Sequence, residues 1–144
     1  MVLAALTGCA ERGPTPAEAA AIIAERQTGM AEMTAAMQAI GAEITSPSPD
    51  ADEVAAQALV LAGNGAKISD WFPAGTGPAS SATTLARPQV WMDPESFDRH
   101  AQALVAAAQG LEALAREGKS SQLMQQAMEV DAQCVACHKI YRPD

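Results

Sequence analysis

Apolar side chains recur at alternating steps of four and three residues through four separate stretches of the chain, parted by proline- and glycine-rich breaks. The first stretch carries Ala19, Ile23, Arg26, Met30, Met33, Met37, Ile40 and Ile44 on one stripe, about eight helical turns if unbroken. Thr15, Pro16 and Glu18 open it as N-cap, first helical position and capping-box partner. "TSPSPD" closes it at residues 45 to 50, because two prolines in three residues cannot continue a helix. Asp50 and Glu53 start a second stretch, whose inner stripe reads Val54, Ala58, Leu61, Gly65, Ile68 and Phe72, with Leu59 and Val60 as an extra apolar flank. Pro73 to Pro88 is rich in Gly, Pro, Ser and Thr without any period, which predicts a long surface loop. Asp93 and Pro94 then restart helix through Phe97, Ala101, Leu104, Ala108, Leu111 and Ala115, and Gly118 ends it. Ser120 or Ser121 opens the last stretch, whose stripe is Leu123, Ala127, Val130, Cys134, Cys137 and Tyr141.

Four helices of similar length in sequence predict an all-α fold, an antiparallel up-down-up-down four-helix bundle spanning residues 15 to 144. At 144 residues the chain suits one domain, and a composition 49% apolar but only 3% aromatic favours helix. Seventeen acidic against nine basic residues give a formal charge of −8, so phosphate backbones are repelled and nucleic acid is excluded as a partner. A basic protein or a small neutral ligand is compatible. No run of eighteen apolar residues is long enough to cross a membrane.

Residues 1 to 14 are set apart from the fold. "MVLAALTGC" runs from apolar into small residues and a cysteine, and Leu6-Thr7-Gly8-Cys9 resembles a lipobox that lacks its positive leader and most of its apolar core. On that reading Cys9 carries a lipid anchor outside the cytoplasm; the alternative is a frayed apolar tail.

The chain has three cysteines and two histidines, yet Cys134, Cys137 and His138 stand within five residues of one another in "QCVACHKIYRPD". Three chemistries compete for them. A thioredoxin-like dithiol wants a sheet and a thiol at a helix N-terminus, whereas this pair ends a helix in an all-helical chain. A structural zinc ion needs a fourth ligand, which Cys9 or His100 would have to bring without the spacing of a zinc module. Covalent haem fits the spacing: in C-x-x-C-H the thiols add to two porphyrin vinyl groups and the adjacent imidazole meets the iron. One helical turn makes the three positions mutual neighbours. The alanines and glycines of the stripes leave room for a flat macrocycle between helices.

Met30, Met33 and Met37 are candidate second ligands to the iron, against a plain role as flexible core filler. Arg26 shares their stripe, where an unpaired cation is costly; a haem propionate would satisfy it, and the alternative is that it snorkels to the bundle edge. Arg142 follows His138 by one turn and either reaches the haem edge or is solvated. His100 reads as a structural residue rather than an iron ligand.

"CVACHKIYR", "ERQTGM", "WFPAGTG" and "RPQVWMDPESF" together resemble the class II c-type cytochromes, the cytochrome c prime family with its low-spin, methionine-ligated members, over residues 16 to 142. Cytochrome c prime is itself a standard up-down-up-down bundle, so this resemblance and the fold expectation are not independent. The resemblance implies one covalent haem c on Cys134 and Cys137, proximal ligation by His138, a distal position at Met30, propionate contact by Arg26, and Arg142 near the proximal face. It further implies a periplasmic protein with redox partner proteins or diatomic gases as partners, and a homodimer through the first two helices, which suits the extra flank on the second. A lipid anchor at Cys9 would be a departure from the family.

Two functions stand on this footing. With Met30 sulfur on the iron, the protein carries single electrons; with Met30 only packed over the haem, an open iron face binds nitric oxide or carbon monoxide. No second titratable group near the distal side supports an enzyme. A haem-free C-x-x-C redox or zinc protein is the alternative from another class.

Overall fold

A computed structural model describes residues 12 to 143, so the lipobox-like stretch and Cys9 lie outside the described residues. Helix α1 spans Pro16–Thr45, α2 Ala51–Gly65, α3 Gln89–Met92, α4 Pro94–Arg116 and α5 Ser120–Tyr141. The four longer helices form the antiparallel bundle, with α2 packed most extensively on α4, and α4 on α5.

The helix ends follow their caps. Glu18 N donates to Thr15 Oγ1 at 3.3 Å and Thr15 N to Glu18 Oε2 at 2.7 Å, the reciprocal pair of a capping box. Asp50 Oδ1 accepts from Asp52 N and Glu53 N at 2.9 and 3.2 Å, and Asp93 caps α4 through Ser96 N at 3.1 Å. Gly118 takes φ +69° beyond α4, a left-handed value that glycine adopts without strain. α5 begins at Ser120 with no side-chain cap on its preceding residue, Lys119.

Two expectations are corrected. The second stripe does not stay helical to Phe72: α2 stops at Gly65, where two poor helix formers, Asn64 and Gly65, coincide and the chain turns into a 3-10 segment at Ser69–Trp71. Ile68 and Trp71 are still buried, because that turn keeps them on the inner side. The helices are not of similar length, since α1 has 30 residues and α2 has 15. A one-turn helix, α3, precedes Asp93; it is held by Trp91, whose Nε1 donates to Phe72 O at 2.8 Å and Pro73 O at 3.1 Å.

The core runs through Ile40, Val54, Leu61, Leu111 and Val130, each fully buried, with alanines between them where α2 meets α4. α1 and α5 touch far less than the other long neighbours. The space between them is the site.

Candidate functional site

A cavity of about 710 Å³ opens between α1, α4, α5 and the 73–88 segment. Met30, Met33 and Met37 line it from α1; Cys134, Cys137 and His138 line it from α5; Leu85 and Ala86 form part of another wall. The helical period does this, because the two stripes face one another across the gap. Beneath it lies an aromatic floor: Phe72 meets Phe97 edge-on at 4.9 Å, Phe97 meets Tyr141 at 5.0 Å, and Tyr141 meets His100 at 5.6 Å.

Cys134 and Cys137 are half-buried and unbridged, and His138 is exposed at the cavity mouth. Burial, then Cys134, pushes the Cys137 thiol up to about 11; burial, then Asp131, raises Cys134. A redox dithiol needs the opposite shift, since only the thiolate attacks. What burial His138 has, then the Arg142 cation, draws its pKa below the usual histidine value, which favours the neutral, ligating imidazole. Among the described residues no three His, Cys, Asp or Glu side chains converge as a metal set.

Arg26 does not snorkel. It is 3% exposed, lies with its guanidinium 4.5 Å over the Phe72 ring, and donates to Trp71 O, Thr76 Oγ1, Thr76 O and Thr84 Oγ1 at 3.4, 3.1, 2.8 and 2.6 Å. Burial lowers its pKa from the ordinary arginine value. Arg142 is exposed on the cavity rim, its N–H bonded to His138 O at 3.0 Å.

Sequence reasoning brought Arg26, Met30, Cys134, Cys137, His138 and Arg142 to one cavity, and all six line it. It missed the aromatic floor and the hydroxyls of Thr76 and Thr84. A signal for the second existed: a cation on a buried stripe must find acceptors, and the Thr-rich loop was the nearest supply.

The cavity fits a haem on its own terms. Its walls are mainly apolar, two thiols and an imidazole share one wall, and its size falls within the range of cofactor pockets. A helical bundle with C-x-x-C-H on the wall of such a cavity has the makings of a c-type haem protein.

Comparison with known proteins narrows this to one family. The family model described as cytochrome c′ matches residues 21–142. Cytochrome c′ from Thermochromatium tepidum is 31% identical with a TM-score of 0.80, covering 91% of this chain and 99% of that one. A cytochrome c′ with an unusual ligand-controlled dimer dissociation is 26% identical with a TM-score of 0.80, over 92% and 100% of the two chains. A variant of cytochrome c′ from Alcaligenes xylosoxidans, in complex with nitric oxide, is 28% identical with a TM-score of 0.76, over 90% and 98%. Among proteins of curated function none matches. The chain belongs to the cytochrome c′ family, whose members bind one covalently attached haem c.

Proposed function

We propose that this protein is a periplasmic carrier of single electrons, with its haem held by thioether bonds at Cys134 and Cys137 and its iron between His138 and Met30. The observation that supports this is that a thioether on α1 and the imidazole on α5 line the same cavity. The bound haem supplies a one-electron couple, whose potential thioether ligation raises. The chain's own part is positional. One turn of α5 holds both thiols and the imidazole in fixed relation, and the methionine and aromatic walls keep water away. Arg142 on the rim offers positive charge to the propionates, and Arg26, its Nη groups engaged by protein oxygens, adds its charge from within the wall.

A second reading has its own support. The Alcaligenes xylosoxidans relative holds nitric oxide, and a rotamer change at Met30 is enough to leave one face of the iron free for a diatomic gas. Spectra of the haem-loaded protein, oxidised, reduced, and reduced under carbon monoxide, separate the two. A methionine-to-iron charge-transfer band with no response to carbon monoxide supports the carrier; a high-spin spectrum that shifts under carbon monoxide overturns it in favour of gas binding.

Two features of its setting belong to the same proposal. Leu59 and Val60 are 46% and 37% exposed on the outer side of α2, an apolar flank suited to a second copy of the chain; a relative is described by its dimer dissociation. Cys9 would add a lipid anchor, and Cys9→Ser should then move the protein from the membrane to the soluble fraction; unchanged fractionation rejects the anchor.

A further inference from the structure

The 73–88 segment is tied to α1 largely by one buried side chain. Both Nη groups of Arg26 are engaged by protein acceptors, Trp71 O and Thr76 Oγ1 for one, Thr76 O and Thr84 Oγ1 for the other. Thr76 is 0% exposed and donates its own hydroxyl to Pro73 O at 2.8 Å; Thr84 Oγ1 also accepts from Ala86 N at 3.1 Å. An exposed bond from Gln27 Nε2 to Thr83 O, at 3.1 Å, adds a second tie from the next residue of α1. Arg26 has no ion pair among the described residues. Its charge is met by loop oxygens and the Phe72 face.

The placement gives these bonds a consequence. Leu85 and Ala86, directly after Thr84, are part of the cavity wall, and Met30 stands one turn beyond Arg26 on α1. Leu85 is 56% exposed, whereas Ala86 packs against the core and Arg87 N donates to Tyr141 O of α5 at 2.8 Å where the segment ends. Between Thr76 and Thr84 its buried fastening to α1 is the set of hydrogen bonds to this cation.

We propose that Arg26 is a positioning residue, which fastens the 73–88 segment as a strap that keeps water from the haem cavity. It acts on the haem through Thr76 and Thr84, in addition to any charge it turns toward a propionate. This rests on haem occupying the cavity. An unfastened strap admits water, and water favours the more highly charged oxidised state, so the midpoint potential falls.

The test uses the haem-loaded full chain and Thr84→Val, Thr84→Ser and Arg26→Gln, read by amide hydrogen exchange across residues 74–87 and by the midpoint potential. Thr84→Val removes one acceptor while leaving the cation in place. It should speed exchange in that segment at least about tenfold and lower the potential, while Thr84→Ser restores both. Unchanged exchange in Thr84→Val overturns the latch; faster exchange with an unmoved potential overturns the strap as a wall. A potential that moves in Arg26→Gln alone overturns action through the strap and leaves direct contact. Should Arg26→Gln fail to fold, the two Thr84 variants decide. A wild-type chain that attaches no haem overturns the reading beneath the proposal, and shows itself before any variant is made.

Discussion

His138 follows Cys137 directly and lies one turn beyond Cys134, so a single turn of α5 sets the distance from both thiols to the imidazole. Replacing it should separate attachment from ligation. His138→Ala is expected to leave some covalent haem on the two thiols and to lose the native visible spectrum; an unchanged spectrum would remove His138 from the iron. Gly29 is a different kind of single-residue constraint. A methyl group there would overlap the Trp71 ring, which is 4% exposed and anchored by Nε1 to Glu25 Oε1 at 3.2 Å. Gly29→Ala should therefore destabilise the haem-loaded protein by about 1–3 kcal/mol despite its better helix propensity. Thermal unfolding checks the sign, and a stabilised variant would contradict the packing. Both lie in stretches that carry the family resemblance, Gly29 in "ERQTGM" and Trp71 at the start of "WFPAGTG", but a local stretch does not say that this ring lies over this glycine.

At the scale of elements, polar end signals were more dependable than stripe length. Thr15, Asp50 and Asp93 each cap the helix they were expected to open, because their partners are only two or three residues away. Thr15→Ala should remove one such bond, costing about 1 kcal/mol, or about 3 °C in melting temperature for a chain of this size. A melting temperature equal to that of the parent would show that the first turn frays without cost. The far end of α2 was misjudged for the opposite reason. Ile68 kept the stripe in register, but the chain leaves the helix after Gly65 to bring Trp71 onto α1, a contact 42 residues away in sequence from Gly29. Apolar period reports which side chains go inward, and a 3-10 turn satisfies it as well as an α-helix does.

For the molecule as a whole, the cavity is a large apolar cleft open on one side, and its walls gain little from the water that enters it when no group fills it. A Cys134→Ser, Cys137→Ser chain produced without haem should thus retain helical circular dichroism while unfolding less cooperatively than the loaded protein. Sharp two-state melting of that chain would mean the walls close on themselves. Association belongs to this scale too. Leu59→Lys should shift a dimer toward monomer in sedimentation without touching the haem spectrum, and an unchanged mass would exclude the α2 flank as the interface. The sequence by itself determined the helical class, the helix starts and the C-x-x-C-H turn, because each depends on residues within about one turn of one another. Only the tertiary structure decided where α2 ends, that aromatic rings floor the cavity, and that Arg26 reaches loop hydroxyls 50 and 58 residues away. Those outcomes come from packing between distant segments, and the burial that drives it is non-directional, so no local pattern encodes its partners.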